Sequence, residues 1–271
     1  TPQFLGVLPN PTDNLRAFYT PILETLLDVF HSQELVPTDD NAYAKASCLL
    51  QGPATLREVV TSEELPFLSG SRAARWAKGV TQGSRPDQFL KALKIKQWGW
   101  KELEDTLGAK YTYYLLDIHQ ADMKWLAART DAWLQKLYLS LAEAIKRNDC
   151  DESTLLICAI VRVIEDHKEA HVRGDRAYFP KGRSHGDLPQ VKREILRGRT
   201  EQQNKKIEQA LVTLGVKQIG DEERVDLILS TYYADASPSI GSKQHIDHMH
   251  SFVRWWKHEQ SADKFTDVAI F

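Results

Sequence analysis

The amino-acid sequence predicts an α+β fold that is predominantly helical, with one or two small β-hairpins and two similar helix-turn-helix units. Three observations predict this fold. Apolar residues recur at helical spacing over much of the chain, which indicates amphipathic helices. Residues 155–164 form a nearly continuous apolar run followed by turn-forming residues, which indicates a hairpin. A ten-residue pattern occurs twice, which indicates two similar units.

The repeated pattern relates residues 90–99 to residues 211–220, which lie 121 positions later. Two Leu residues, a Lys, a Gln and a Gly match in place, and an amphipathic acidic stretch follows each copy. We expect each copy to form a short helix, a turn at Gly or a Gly-like residue, one β-branched residue and a second helix. Repeated units of this kind usually serve packing or docking.

The first 50 residues predict one helix and one hairpin. Apolar side chains at helical spacing predict an amphipathic helix over residues 15–30. Residues 34–41 have the composition of a short extended piece and a turn, and residues 42–50 that of a second strand. The two strands together predict a small hairpin.

The middle of the chain predicts helices of different lengths. Residues 53–107 are expected to form short helical pieces, because Pro and Gly residues interrupt the pattern. We expect Asp87 to cap the piece that contains the first repeat copy, and the next helix to stop at Gly108. Residues 110–147 keep the helical period longest, most clearly over 131–147.

Beyond residue 150 the sequence predicts a hairpin and then helices. The apolar run 155–164 is expected to pair with a returning strand at 171–180. A helix over 201–214 should end at Gly215, a natural C-terminal cap. Ser242 is expected to cap a last helix, whose predicted apolar face comprises Ile246, Met249, Phe252, Val253 and Trp256.

These elements divide the chain into two parts. Residues 1–150 form a mostly helical part with the first repeat unit, and residues 151–271 form a hairpin plus helices with the second. The chain opens on Thr1 without an initiator Met and ends on an apolar tail, so we expect a fragment of a longer protein or a processed product.

Composition limits the class of protein. With 42% hydrophobic and 27% charged residues and a formal net charge of -2, the chain resembles an ordinary globular protein. Nothing global steers it to nucleic acid or to an anionic membrane. No signal peptide or long apolar stretch is present, so no membrane partner is expected. Three scattered cysteines argue against a disulfide framework or a zinc site and favour an intracellular, cytoplasmic location.

A basic stretch over residues 173–206 is the strongest candidate for a binding surface. Only four acidic residues oppose its ten basic ones, so it could contact the phosphates of a nucleic acid. Tyr178 and Phe179 could stack on bases if they were exposed. A solvated face, or a surface for acidic partner proteins, explains the same charges. The candidate binding residues are Arg173, Arg176, Lys181, Arg183, Lys192, Arg193, Arg197 and Arg199.

A histidine-rich segment at residues 245–250 is a weak candidate for a metal site. His245 and His248 are spaced i,i+3 and share a helix face, but the sequence offers no obvious third ligand. The alternative is a solvated or capping face near the start of an amphipathic helix. No motif predicts a catalytic residue, a nucleotide site or a cofactor.

The seven tryptophans divide into two groups. Trp125, Trp133 and Trp256 fit apolar helix faces and are expected in the core. Trp98 and Trp100 flank the Gly of the first repeat copy, where the second copy has Ile219 and Asp221. This difference suggests that the first copy makes a contact that the second does not, so Trp98 and Trp100 are candidate partner-binding residues.

Two stretches, residues 205–233 and 242–253, resemble a module of very large sacsin-like proteins, which carry an N-terminal Hsp90-like ATPase domain. The short segment 35–38 is similar to "vPT" segments of the same proteins. The resemblance covers under half of the chain and its matching positions are mostly Leu, Gly and aromatic residues. It implies an interior region downstream of the ATPase domain, with the nucleotide-binding residues outside this chain. It also implies a chaperone-like role or, in bacteria, a role in phage defence.

Three functional hypotheses follow. The first is a non-enzymatic scaffold or interaction region of a larger multidomain protein, whose partners are other domains of the polypeptide or other proteins. The second is a nucleic-acid-binding module that uses residues 173–206. The third is a metal-dependent hydrolase that uses His245 and His248.

Overall fold

The computed structural model describes residues 15–81, 83–112, 120–165, 167–180, 188–233, 240–259 and 263–266. The predicted α+β class, predominantly helical with small sheets, is confirmed. Helices α1 to α12 span Leu15–Ser32, Ala54–Arg57, Leu65–Leu68, Arg85–Ala92, Trp100–Tyr111, Gln120–Ala127, Asp131–Lys146, Glu152–Leu156, Arg193–Leu196, Glu201–Thr213, Asp221–Tyr232 and Ser242–Glu259. Strands β1 to β8 span Val36–Pro37, Tyr43–Ala44, Leu49–Gln51, Arg75–Trp76, Lys96–Gln97, Val161–Glu165, Lys168–Val172 and Gln190–Val191.

The strands form three small sheets in the described part of the chain. β1 and β2 form the hairpin predicted near the N-terminus. β3 lies between β4 and β5 and pairs with both in parallel. β6 lies between β7 and β8 and pairs with both antiparallel, which confirms the hairpin predicted after residue 155. The returning strand is Lys168–Val172, so its predicted bounds of 171–180 are wrong.

Several predicted boundaries in the strand regions are wrong. The expected strand over 42–50 is broken by a 3₁₀ turn at Ala46–Cys48, so that β2 and β3 belong to different sheets. β4 and β5 were not predicted, because a two-residue strand shows no alternation. The apolar run 155–164 begins as helix α8, which Asp151 caps by accepting from the Ser153 N–H at 3.0 Å, and only its last part is β6.

The helix boundaries need three corrections. The stretch 110–147 is not one helix, since α6 ends at Ala127 and Thr130 caps α7; residues 113–119 lie outside the described part. The residue that caps α4 is Ser84, whereas Asp87 is within the helix and accepts from the Gly83 N–H at 2.8 Å. α5 passes Gly108 and ends at Tyr111.

The structure contains one structural unit twice, over residues 15–111 and 131–232, here called the first and second unit. Each unit has a long helix, a hairpin, a 3₁₀ turn, a central strand position and a helix–strand–helix segment. The elements correspond in the same order along the chain. α1 corresponds to α7, β1 to β6, β2 to β7, and the turn at 46–48 to the turn at 174–176. β3 then corresponds to the position of Tyr178, α4 to α10, β5 to the position of Lys217, and α5 to α11. From Tyr43 to Gln51 the equivalent residue lies 128 positions later.

The strand register is the same in both units. Leu50 pairs in parallel with Trp76 on one side and with Lys96 on the other. Its equivalent, Tyr178, pairs in parallel with Gln190 and with Lys217. The ladder hydrogen bonds match as well, since the N–H of Ala77 donates to the Leu50 carbonyl at 2.9 Å and that of Val191 to the Tyr178 carbonyl at 2.8 Å. The ten-residue repeat in the sequence is therefore part of a structural duplication of about 100 residues.

The predicted turn after the first helix of each repeat copy is confirmed. Lys94 has φ 53° and Gly215 has φ 94°, so both occupy the left-handed region that follows many helices. The next residue closes the turn in both copies: the Ile95 N–H donates to the Leu90 carbonyl at 3.4 Å, and the Val216 N–H to the Leu211 carbonyl at 3.0 Å. The Gly-like residue of the first copy is therefore a lysine with positive φ.

The two units do not have separate cores. A small cluster of the first unit contains Val36, Ala44, Ala46, Leu49, Ala77, Leu90, Leu93 and Ile95. Its equivalents in the second unit, Val161, Val172, Ala177, Val191, Leu211, Leu214 and Val216, belong to the main core. That core also contains Trp76, Trp98 and Leu103 of the first unit. The parts that the sequence analysis divided at residue 150 thus share one core.

Arg162 is the polar residue that interrupts the apolar run 155–164. Its buried side chain connects α6, α7 and β6. The Arg162 side chain is 4% exposed and donates to Asp131 Oδ1 at 2.7 Å. It also donates to the carbonyls of Leu126, Ala127 and Arg129 at 3.2, 2.9 and 2.8 Å, where α6 ends. The guanidinium thus supplies donors where α6 ends, in addition to the Arg129 N–H, which donates to the Leu126 carbonyl at 3.0 Å.

We expect Arg162→Met to lower the free energy of unfolding by about 3–5 kcal/mol, because it removes a buried guanidinium that pairs with Asp131 and donates to the Ala127 and Arg129 carbonyls. Urea unfolding followed by circular dichroism measures this loss. Arg197→Met is the matched control, because Arg197 is exposed and its loss should change stability by less than about 0.5 kcal/mol. Equal stabilities of the two variants would contradict the role assigned to Arg162.

Candidate interaction surfaces

The aromatic pair proposed as a partner-binding site lies inside the protein. Trp98 is 4% exposed and Trp100 is 3% exposed, and both belong to the main core. Residues of the second unit share this core, and the Cys150 thiol of that unit lies 3.5 Å from the Trp100 backbone carbonyl. The assignment of Trp98 and Trp100 to an external partner is therefore wrong.

The basic stretch loses part of its charge to internal ion pairs. Lys192 Nζ lies 2.6 Å from Glu169 Oε1 and 2.9 Å from Asp131 Oδ2. Hydrogen bonds to these two carboxylates raise the pKa of Lys192. Burial alone would raise the pKa of Asp131, but hydrogen bonds from Lys192 and Arg162 outweigh it and hold that pKa below its usual range. Lys192 is thus part of a structural network and not of an open cationic surface.

The remaining basic candidates divide by exposure. Arg173 is half-buried and binds Asp175 through two hydrogen bonds of 3.0 and 2.7 Å. The exposed side chains are those of Arg176, Arg193, Arg197 and Arg199. Lys181 and Arg183 lie outside the described residues. Phe179 is 4% exposed and cannot stack on a base, whereas Tyr178 is half-buried.

His171 extends the network around Arg162. The Arg162 Nε–H donates to His171 Nε2 at 3.4 Å, so this ring nitrogen accepts and carries no proton. Burial lowers the pKa of His171 from 6.5 to about 4, the Arg162 charge acts in the same direction, and Glu169 opposes both. The histidine is therefore neutral in the folded protein near pH 7.

The structure brings the two candidate metal ligands, His245 and His248, to one tyrosine. The Tyr233 hydroxyl lies 2.8 Å from His245 Nδ1 and 3.2 Å from His248 Nδ1. A hydroxyl has one hydrogen, so it can donate to only one of the two rings. His248 is 1% exposed, so the interpretation as a solvated face is wrong for it.

The same hydrogen bonds bear on the metal hypothesis. They engage the Nδ1 atoms of both rings, and burial raises the pKa of Tyr233, which keeps its hydroxyl protonated. Across the described part of the chain, no group of three or more His, Cys, Asp or Glu side chains could hold a metal ion. The metal-dependent hydrolase stays a prediction, and the described residues offer His245 and His248 no third His, Cys, Asp or Glu ligand.

Helix α12 is apolar on two sides but covered on only one. His248, Ser251, Phe252 and Trp255 are buried against α11. Ile246, Val253 and Trp256 are 54%, 45% and 50% exposed. The predicted apolar face is thus correct for Phe252 and wrong for these three, and Trp256 is not in the core. Trp125 and Trp133 do pack against the main core, as expected.

A second uncovered apolar face lies on α1 at the other end of the described chain. Leu27 and Phe30 pack against the small cluster of the first unit. Leu26 is 50% exposed and Val29 is 39% exposed. Sequence reasoning missed this face because the pattern shows that both sides of the helix are apolar but not which side is covered.

None of the described helices is long and apolar enough to span a membrane.

Neighbouring tryptophans of α12 allow a matched test of this assignment. We expect Trp255→Ala to lower the opening free energy of the α11–α12 pair by about 3–5 kcal/mol, because it removes a buried ring. Trp256→Ala should lower it by less than about 1 kcal/mol, because the ring is half exposed. Hydrogen exchange of the α11 amides measures both values. A larger loss for Trp256→Ala would place that ring, not Trp255, in the helix interface.

The lowered pKa of His171 predicts a pH effect on stability. The unfolded chain binds a proton below pH 6.5 and the folded chain only below about pH 4, so protons favour unfolding in this window. Above pH 6.5, neutral His171 makes its full contribution to the free energy of unfolding. This contribution falls by about 3 kcal/mol as the pH drops to 4. Urea unfolding of the wild type and of His171→Gln from pH 7 to 4 should show a steeper decline in the wild type. Parallel curves would contradict the assignment.

Comparison with known proteins adds no relative to these observations. No family model matches the chain, and neither a curated protein nor a solved structure matches it. The candidate surfaces therefore depend on the geometry described above.

Proposed function

We propose that this chain is a non-enzymatic interaction region of a larger multidomain, intracellular and cytoplasmic protein. The observation that carries the proposal is the pair of uncovered apolar faces on α1 and α12, the first and last α-helices of the described chain. Leu26 and Trp256 are each 50% exposed although the helices that carry them also pack inward. Apolar patches of this kind mark contact surfaces.

The sacsin-like resemblance supports the same proposal. Residues 205–233, which carry that resemblance, form most of α10 and all of α11, the last two helices of the second unit. A chaperone-like or phage-defence role of the larger protein belongs to this proposal and depends on the resemblance alone.

A nucleic-acid-binding module is the alternative that one observation favours. The side chains of Arg176, Arg197 and Arg199 are exposed, although Lys192 and Arg173 are engaged in ion pairs. Exposed guanidinium groups bind phosphates, and such binding weakens as the salt concentration rises.

Two variants distinguish these functions. The face variant carries Leu26→Ser, Val29→Ser, Val253→Ser and Trp256→Ser, and the arginine variant carries Arg197→Glu and Arg199→Glu. Each is purified with its bound molecules from the cells that express the protein, with and without nuclease. We expect the wild type and the arginine variant to retain the same proteins after nuclease treatment, and the face variant to lose them. The melting temperature of each variant is the control for folding.

Two outcomes would contradict the proposal. Retention of the same proteins by the face variant would show that the apolar faces do not bind them. Nucleic acid that the wild type and the face variant retain, and that the arginine variant loses, would favour the alternative.

A further inference from the structure

The uncovered side of α1 corresponds to a covered side of α7. At an interval of 115 residues, Leu26 of α1 matches Leu141 of α7, and Val29 matches Ala144. The neighbouring apolar residues support this alignment: Leu27 and Phe30 pack on the cluster of the first unit. Their matches are also inward: Ala142 is buried, and Ile145 packs against the main core, which contains most of the equivalent cluster of the second unit.

The corresponding side of α7 is the junction between the two units. Leu141 and Ala144 are 0% exposed within a core to which both units contribute. On the same side, the Trp133 indole N–H donates to the Val59 carbonyl of the first unit at 2.9 Å. Trp133 also meets Trp125 edge to face, with ring centroids 5.7 Å apart. The long helix of the second unit thus packs on α9 and α10 of its own unit, and through Trp133 it also contacts the unit before it.

We propose that the uncovered face of α1, formed by Leu26 and Val29, binds a further unit of this same fold, seated as the first unit is seated on α7. This inference depends on the proposed interaction function and names the partner of one of its surfaces. The surface that such a partner presents is apolar and aromatic, like the side of the first unit that holds Trp76, Trp98 and Trp100.

Helix α12 also has one covered and one uncovered side. Trp256 of α12 lies 115 residues after Leu141. α12 packs on α11, the last helix of the unit before it, and its other side is uncovered. The three residues at this interval, Leu26, Leu141 and Trp256, are 50%, 0% and 50% exposed. Only the middle helix has a unit on both sides within the described chain.

A second copy of this chain fits the α1 face less well than a unit like the first. The first unit contributes Trp76, Trp98 and Trp100 to the core that it shares with α7. The second unit has Gln190, Ile219 and Asp221 at these positions. The second unit therefore lacks the aromatic surface that the α1 face would require.

An extended chain tests this inference. It consists of residues 1–130 followed by residues 16–271, which places a complete first unit before an internal copy of α1 and keeps the interval of 115. Leu26→Cys is introduced at either the terminal or the internal copy of α1. The rate of maleimide labelling is measured against the extended chain without this substitution, which contains Cys48 twice, Cys150 and Cys158. The terminal position is the matched control within the same protein.

We expect the internal cysteine to react at least about tenfold more slowly than the terminal one, because only the internal helix has a unit on both sides. Val29→Asp in the internal copy should restore fast labelling. Equal rates at both positions would overturn the proposal. So would slow, concentration-dependent labelling of Leu26→Cys in the 271-residue chain, because a second copy would then cover the face.

A second variant keeps the inference testable if the extended chain does not fold. Leu137→Ile with Ala144→Val gives α7 the residues that α1 has at positions 22 and 29. If the two faces are equivalent, this variant should fold with a melting temperature within about 5 °C of the wild type. An unfolded variant would overturn the equivalence. The face variant could lose its protein partners while the terminal and internal cysteines label at equal rates. This combination would leave the interaction function intact and refute only the partner named here.

Discussion

The Arg162 guanidinium holds α6, the helix between the two units, against the start of the second unit. It binds the last carbonyls of α6 and the first carboxylate of α7, and its backbone belongs to β6. The Arg162 N–H also donates to the Tyr138 hydroxyl at 3.0 Å, and that hydroxyl donates to the Ile160 carbonyl. Because the Arg162 side chain and the Tyr138 hydroxyl are buried, each needs its partners to be present. The position of α6 against the second unit depends on this arrangement.

The sequence allowed the long helices and the repeated turn to be predicted, because both are local. Apolar spacing determines a helix such as α7, and the left-handed residue after α10 is a glycine. The parallel strands β4 and β5 could not be predicted, since they are two residues long and their partner β3 lies 24 or more residues before them. Their existence depends on pairing and not on composition.

The candidate sites were harder to predict than the fold, for a related reason. A tryptophan has the same sequence signature whether it faces a partner or a neighbouring unit, and Trp98, Trp100 and Trp256 were each assigned to the wrong environment. Likewise a lysine such as Lys192 contributes to a basic stretch in sequence, yet two carboxylates from α7 and β7 neutralise it in space. Burial and charge compensation are properties of the assembled units.

The central strand positions are joined to partners far along the chain, and this affects how the protein is made. Leu50 meets Lys96 and Tyr178 meets Lys217, so each unit closes only after a long loop has formed. During synthesis the first unit can close once β5 has emerged from the ribosome. Its residues of the shared core, such as Trp76, Trp98 and Trp100, then lack the part of that core which the second unit contributes. This interval is when the nascent chain is most exposed to aggregation, and a fast start of the second unit shortens it.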